Sequence, residues 1–243
     1  MIKVSGIFGL HDVPLRINRD GIHISVKRMT CGLLYKRECM GEEVEDILLS
    51  NDSKILINPV EPVNKPQELT PHFLIEFEKS IFIEPNAKKT IFVKFPVEIG
   101  VFVHGKKKFQ ILDVLTLNKQ KFTLYGDVVS GVICKYWKSE VYSTIPDTNP
   151  VYKGVIEINL TNTTARWVEV TQTVFAAHGM KIYYSDDRVA MRANMRIVGK
   201  KVAEVDFVNS PLEKGMKRSL ELYTSRLTKI PVVATRFLMD EGI

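Results

Sequence analysis

Alternation of apolar and polar residues, resumed after every turn, is the feature that most limits what this chain can fold into. It is clearest over residues 80–103, where β-branched and aromatic residues run on between breaks at Glu84-Pro85-Asn86, Phe95-Pro96 and His104-Gly105. Only a strand sends successive side chains to opposite faces, so the pattern predicts an all-β protein. That conclusion sets aside most enzyme scaffolds whose catalytic motifs can be read from sequence.

Turn chemistry divides the pattern into elements. Asp20-Gly21 lies between two short alternating runs and supplies the positive φ angles of a tight hairpin. Residues 58–71 hold four prolines and predict an edge or crossover loop, because proline removes a ladder donor. A second break, at 144–150, is the expected domain boundary. With 243 residues the chain fits two domains, taking roughly 100–150 residues for each. The expected architecture is two tandem β-sandwiches, immunoglobulin-like, over residues 1–146 and 151–243, with a single large sandwich or barrel as the alternative. Val189, Met191, Ala193, Met195 and Ile197 mark one inward strand face. One short C-terminal helix is expected from Ser210-Pro211 onward, with Leu212, Met216, Leu220 and Leu222 roughly sharing a face and Gly215 weakening it.

A hydrophobic fraction of 45% with 26% charged residues supplies a core without metal or disulfide staples. No apolar run approaches the ~20 residues that span a bilayer, so no membrane insertion is expected. The first ten residues are interrupted by Ser5, Gly6 and Gly9 and lack a cleavage site, unlike a signal peptide. Cys31, Cys39 and Cys134 form no disulfide framework, which points to the cytoplasm. A bias toward Lys, with Gln only at 67, 110, 120 and 172, is thermophile-like. The formal charge of +6 is mildly basic.

No phosphate loop, dinucleotide fingerprint, zinc-protease or nucleophile-elbow motif occurs, so no catalytic residue, cofactor or metal site is assigned. His104 and His178 each precede a glycine and read as turn residues, although a site between domains could use either as acid or base. Asp186-Asp187 reads as a hairpin turn. Cys134 belongs to the core, with Lys135 and Trp137 on the opposite strand face, at the surface. Trp137 and Trp167 are candidate anchors for a partner.

The basic residues are the strongest lead. Arg188, Arg192 and Arg196 share one strand parity, and Lys106, Lys107, Lys200 and Lys201 crowd two hairpin tips. Guanidinium rows suit phosphates, carboxylates or acidic protein surfaces. They also protect exposed strands from aggregation. Aromatic residues do not interleave with the arginines, which makes nucleic acid the lesser of the anionic partners. The expected function is a non-enzymatic, cytoplasmic protein-interaction or structural role with a protein partner. The alternative is binding of an anionic ligand, nucleic acid or a phosphorylated metabolite, on the basic strand face.

Across most of its length, and most evidently at 95–103 and 121–137, the chain resembles members of an uncharacterised archaeal protein family of similar size. The resemblance implies an archaeal origin and supplies no catalytic residues.

Overall fold

Alternation becomes strand wherever turn residues close a hairpin. Asp20 and Gly21 take φ angles of 53° and 81°, and Met40 and Gly41 take 51° and 77°, the left-handed pair that matches the twist of two adjoining strands. The computed structural model describes residues 6–48, 54–65, 69–104, 109–222 and 237–240. Its first strands are β1 (Gly9–Asp12), β2 (Leu15–Arg19), β3 (Ile22–Met29), β4 (Gly32–Cys39) and β5 (Glu42–Leu48). Next come β6 (Lys54–Val60), β7 (His72–Ile83), β8 (Lys88–Pro96), β9 (Glu98–His104) and β10 (Phe109–Leu115). They are followed by β11 (Phe122–Tyr125), β12 (Val132–Ser139), β13 (Val141–Tyr142), β14 (Lys153–Asn162) and β15 (Val168–Ala176). A 3-10 turn, η1 (Ala177–Gly179), leads to β16 (Tyr183–Tyr184), β17 (Val189–Ile197), β18 (Ala203–Val208), β19 (Lys217–Arg218) and β20 (Phe237–Met239).

These strands build four sheets. A meander joins β2-β3-β4-β5, and a second sheet has the order β1-β6-β9-β10. The third is β11-β12-β7-β15, and the fourth, eight-stranded, is centred on β8-β14-β17 with β18 beside β17. The expected all-β class is therefore what forms. The third and fourth sheets meet through β12 on β8 and through β15 on β18 and β20. Two strand pairs, β7 with β12 and β14 with β17, are parallel, whereas an immunoglobulin sandwich is built from antiparallel sheets.

The break at 144–150 does not separate two sets of sheets. β8, before it, pairs with β14, after it, and β7 pairs with β15. The chain instead changes sheets at Val97, wholly buried between β8 and β9. One core results: Ile24 and Tyr35 of the meander, Ile57 and Val101 of the second sheet, Phe73 and Phe175 of the third, and Phe95 and Met191 of the fourth belong to a single cluster.

Pro59, expected in a loop, stands inside β6 opposite Ile99. β1 accompanies β6 only as far as Ile57, so Pro59 lies where β6 has a neighbour on one side and its missing N–H leaves no ladder bond unmade. The expected helix does not form over 210–221. Gly215, at φ 94°, turns the chain, and Lys217–Arg218 pairs as a strand with β16. Leu220 and Leu222 instead cover Val60 and Phe102 on the outer side of the second sheet.

Candidate functional site

The arginine row occupies the outer face of the eight-stranded sheet, as its parity requires, but each guanidinium meets a carboxylate. Arg192 donates from Nε to Glu157 Oε1 at 2.7 Å and from Nη1 to Ser210 Oγ at 2.9 Å. Arg188 reaches Glu213 at 3.1 Å, and Arg196 reaches Glu204 at 3.3 Å. The row is charge-compensated. Lys106 and Lys107 lie outside the described residues.

Lys135 and Trp137 correct the expectation of a surface position. Lys135 is buried against Glu98, and Trp137 is half-buried, with Lys153 over its ring at 5.8 Å. A strand's second face is wet only when nothing packs on it, and here the second sheet covers it. Cys134 is core as expected, and burial pushes its thiol up to about 12, so it stays protonated and unreactive. His104 ends β9 and packs on Phe109 opposite it in β10, while His178 sits in η1; burial, and after it the neighbouring His178, pulls the His72 imidazole below its usual range. The Asp186-Asp187 turn closes β16 on β17 through Ser185 N–H to Arg188 O at 2.8 Å.

Trp167, by contrast, is 64% exposed, and the structure brings it together with Lys200. Three turns converge at this end of the two facing sheets: 84–87 between β7 and β8, 163–167 between β14 and β15, and 198–202 between β17 and β18. Asn162, 1% exposed, ties the first two together. Its Nδ2 faces the carbonyls of Ile83 (3.2 Å), Glu84 (3.0 Å) and Arg166 (2.8 Å). Its Oδ1 accepts from Thr164 N–H at 3.0 Å and Thr164 Oγ1 at 2.8 Å. Thr163 ties in the third turn, donating from both N–H (3.0 Å) and Oγ1 (2.7 Å) to Ile197 O. Asn86 N–H closes the set on Thr164 O at 3.2 Å.

The result is a rigid turn cluster carrying a cleft of about 490 Å³, lined by Thr164, Arg166, Trp167, Glu169 and Lys200 among others. Phe82, 62% exposed, is opposite Glu169 and so diagonal to Trp167. Among the described residues Lys88, Arg166, Lys200 and Lys201 make no ion pair, whereas Lys89 is held by Glu84 at 3.4 Å. Of these, Arg166 and Lys200 share the cleft with the exposed Trp167. Sequence reading picked out Trp167, Lys200 and Lys201 but not Asn162, whose role depends on carbonyls some 80 positions away in the chain.

A second polar cluster lies between the meander and the second sheet, and sequence reading placed its Lys135 at the surface and missed Tyr35, Arg37, Glu98 and Asp113. Arg37, 3% exposed, grips Asp113 from Nε at 2.9 Å and Nη2 at 3.4 Å, and Tyr35 donates to the same carboxylate at 2.9 Å. Burial and the Asp113 charge both push the Tyr35 hydroxyl far above its usual range. Burial pulls the Arg37 guanidinium down, but its bonds and charge pairing with Asp113 and Glu42 more than restore it. Lys65, followed by Arg37, holds the Glu42 carboxyl below its usual range. Behind this layer the buried Glu98 accepts from Asn64 N–H at 3.0 Å and pairs with Lys135. Burial raises Glu98 and lowers Lys135, each opposed by the other's charge. The available signal was a charge at inward parity: Arg37 alternates with Leu33, Tyr35 and Cys39.

Among the described residues no group of three or more His, Cys, Asp and Glu side chains could hold a metal ion, and no helix is long and apolar enough to cross a membrane. The fold is that of an all-β protein of several sheets. The family model of DUF432, a protein family of unknown function, matches residues 7–240, and the chain belongs to that family. Comparison with curated proteins and with solved structures gives no match.

Proposed function

We propose that this is a non-enzymatic binding protein that takes an acidic protein partner at the turn cluster around Trp167. The observation that carries the reading is an exposed tryptophan on a turn held by the buried Asn162. Tryptophan is a favoured interface anchor, and an anchor already fixed in place loses little conformational freedom on binding. Arg166 and Lys200 line the same cleft and add positive charge beside it, and the formal charge of +6 favours encounter with acidic surfaces. All three cysteines are free, which supports a reducing, cytoplasmic setting.

A second reading, single-stranded nucleic acid, is favoured by the exposed pair Phe82 and Trp167, which could stack bases beside the lysines. Arginines already compensated by glutamate weaken the version of this reading that used the strand face.

Fluorescence of Trp167 in a Trp137→Phe background separates these readings. Titration with an acidic peptide carrying one aromatic residue should shift and quench the emission at low salt, and Trp167→Ala or Lys200→Glu, read by anisotropy of a fluorophore attached to the peptide or oligonucleotide, should abolish or weaken binding. A response to oligonucleotide alone would favour the second reading. Binding of either probe unaffected by both substitutions would remove the turn cluster as the site.

A further inference from the structure

We infer that the cleft beside β10 is a binding site for a small zwitterion, an α-amino acid with an apolar side chain. This lies beyond the partner-binding reading and involves a different part of the molecule. The cleft, open to solvent, measures about 580 Å³ and is lined by Glu42, Asn64, Lys65, Asp113 and Gln120, with Ile111, Leu112 and Val114 of β10 along it. The volume falls in the range of small-molecule sites, and the lining is more polar than most, which suits a charged ligand.

The charges around it balance. Arg37 and Lys65 are opposed by Asp113 and Glu42, joined as Arg37–Asp113 (2.9 Å), Arg37–Glu42 (3.2 Å) and Lys65–Glu42 (3.2 Å). A ligand with a single charge would leave one member of this set uncompensated. A ligand carrying both signs can part Glu42 from Lys65 and satisfy each of them. That pair is the one able to open, since the Glu42 side chain is 64% exposed, whereas Arg37 is fixed at 2%. Exposed ion pairs contribute little to stability, so parting this one costs little.

Two further observations place the ends of the ligand. A β-bulge between Ile111 and Asp113 breaks the β9–β10 register, so that Asp113 meets Tyr35 and Arg37 while Leu112 joins the cleft wall. Gln120 Oε1 is buried and accepts no hydrogen bond among the described residues, while its Nε2 is committed to Asn118 O at 3.0 Å. Glu42 and Gln120 thus offer acceptors to an ammonium group, Lys65 offers a donor to a carboxylate, and Leu112 of β10 offers an apolar contact to the ligand's side chain.

The test is calorimetric titration of the full chain with L-leucine, N-acetyl-L-leucine and L-leucinamide. Leucine should bind, and each derivative, having lost one charge, should bind at least about tenfold more weakly, the scale of one lost charge-assisted bond. Glu42→Gln should narrow the gap between leucine and its N-acetyl form, and Lys65→Met the gap between leucine and its amide. Both changes fall on a partly exposed pair, and an unchanged thermal midpoint verifies the fold. Trp167→Ala should bind leucine as the unchanged protein does, which keeps this result independent of the turn cluster. The inference is overturned if none of leucine, valine, isoleucine, methionine or phenylalanine binds, or if the derivatives bind as tightly as leucine.

Discussion

Replacing Asn162 by alanine removes two acceptor contacts and three donor contacts shared by two N–H bonds. The Ile83 residue, 3% exposed, is sealed from water, and leaving its carbonyl unpaired costs about 1–3 kcal/mol. Glu84, Arg166 and Thr164 lie near the surface, where water replaces part of what is lost, so each adds only about 0.5 kcal/mol. The sum is about 3 kcal/mol, which for a chain of 243 residues lowers the midpoint of thermal unfolding by roughly 6–12 °C.

Urea denaturation of Asn162→Ala measures the whole effect, and hydrogen exchange at the Thr164 amide measures its local part. Asn162→Asp sharpens the test. The new carboxylate keeps the Thr164 contacts but faces three carbonyl oxygens, so its folded-state pKa rises above the unfolded value. A raised pKa favours the folded state at low pH and withdraws that stability as pH climbs, so the deficit of Asn162→Asp should shrink between pH 7 and pH 4. If Asn162→Ala costs less than about 1 kcal/mol, or Asn162→Asp is pH-insensitive, Asn162 does not hold the turn cluster together.

Lys135→Met should cost about 3–5 kcal/mol in urea denaturation because it strands the buried Glu98, and Glu98→Gln combined with it should recover most of that loss. A double variant as unstable as the single one would contradict this. The Glu42 carboxyl should titrate below the usual glutamate range in a carbon-detected NMR titration and rise toward it in Lys65→Met. Its depressed pKa contributes stability above the unfolded glutamate pKa that is lost as pH falls through the folded value, weakly because the side chain is largely exposed. Gly154→Ala should cost about 1–3 kcal/mol, since a Cβ there meets the Phe95 ring and stands 2.9 Å from Val189 O. Phe95→Leu in the same chain should lessen that cost, and an undiminished cost would place the clash on the backbone alone.

Local pattern was enough for faces and turns. The parity of Val189, Met191, Ala193, Met195 and Ile197 predicts the buried side of β17, and all five are buried. Asp20-Gly21 predicts a left-handed turn, and both φ values are positive. Parity does not say which strand lies alongside. Nothing within β8 distinguishes a partner on its own side of the 144–150 break from β14 across it, so the break reads as a boundary although sheets run through it. The same limit explains the expected helix: Leu212, Met216 and Leu220 satisfy a helical spacing, but the second sheet offers Val60 and Phe102 to a chain that Gly215 has already turned.

Site residues were legible in proportion to how far they depend on distant groups. Trp167 could be picked out because an aromatic at outward parity needs no partner to be exposed. Arg37 could not, because a charge at inward parity contradicts the strand pattern until Asp113, 76 positions later, is placed against it. Asn162 is the instructive intermediate. Its position at the end of β14 is visible in sequence, yet only the meeting of three turns makes it structural. That meeting also bears on Trp167. Leaving this side chain 64% exposed forgoes roughly 2 kcal/mol of burial, and a flexible turn could recover part of it by folding the ring onto neighbouring apolar surface. Asn162 and Thr163 deny the turn that freedom: the Asn162 amide, anchored on β7, holds Arg166 O and Thr164 N–H, and Thr163 N–H is bonded to Ile197 O of β17. Rigidity and exposure at Trp167 are thus one arrangement: the bonds that fix the turn are the ones that keep the ring in water.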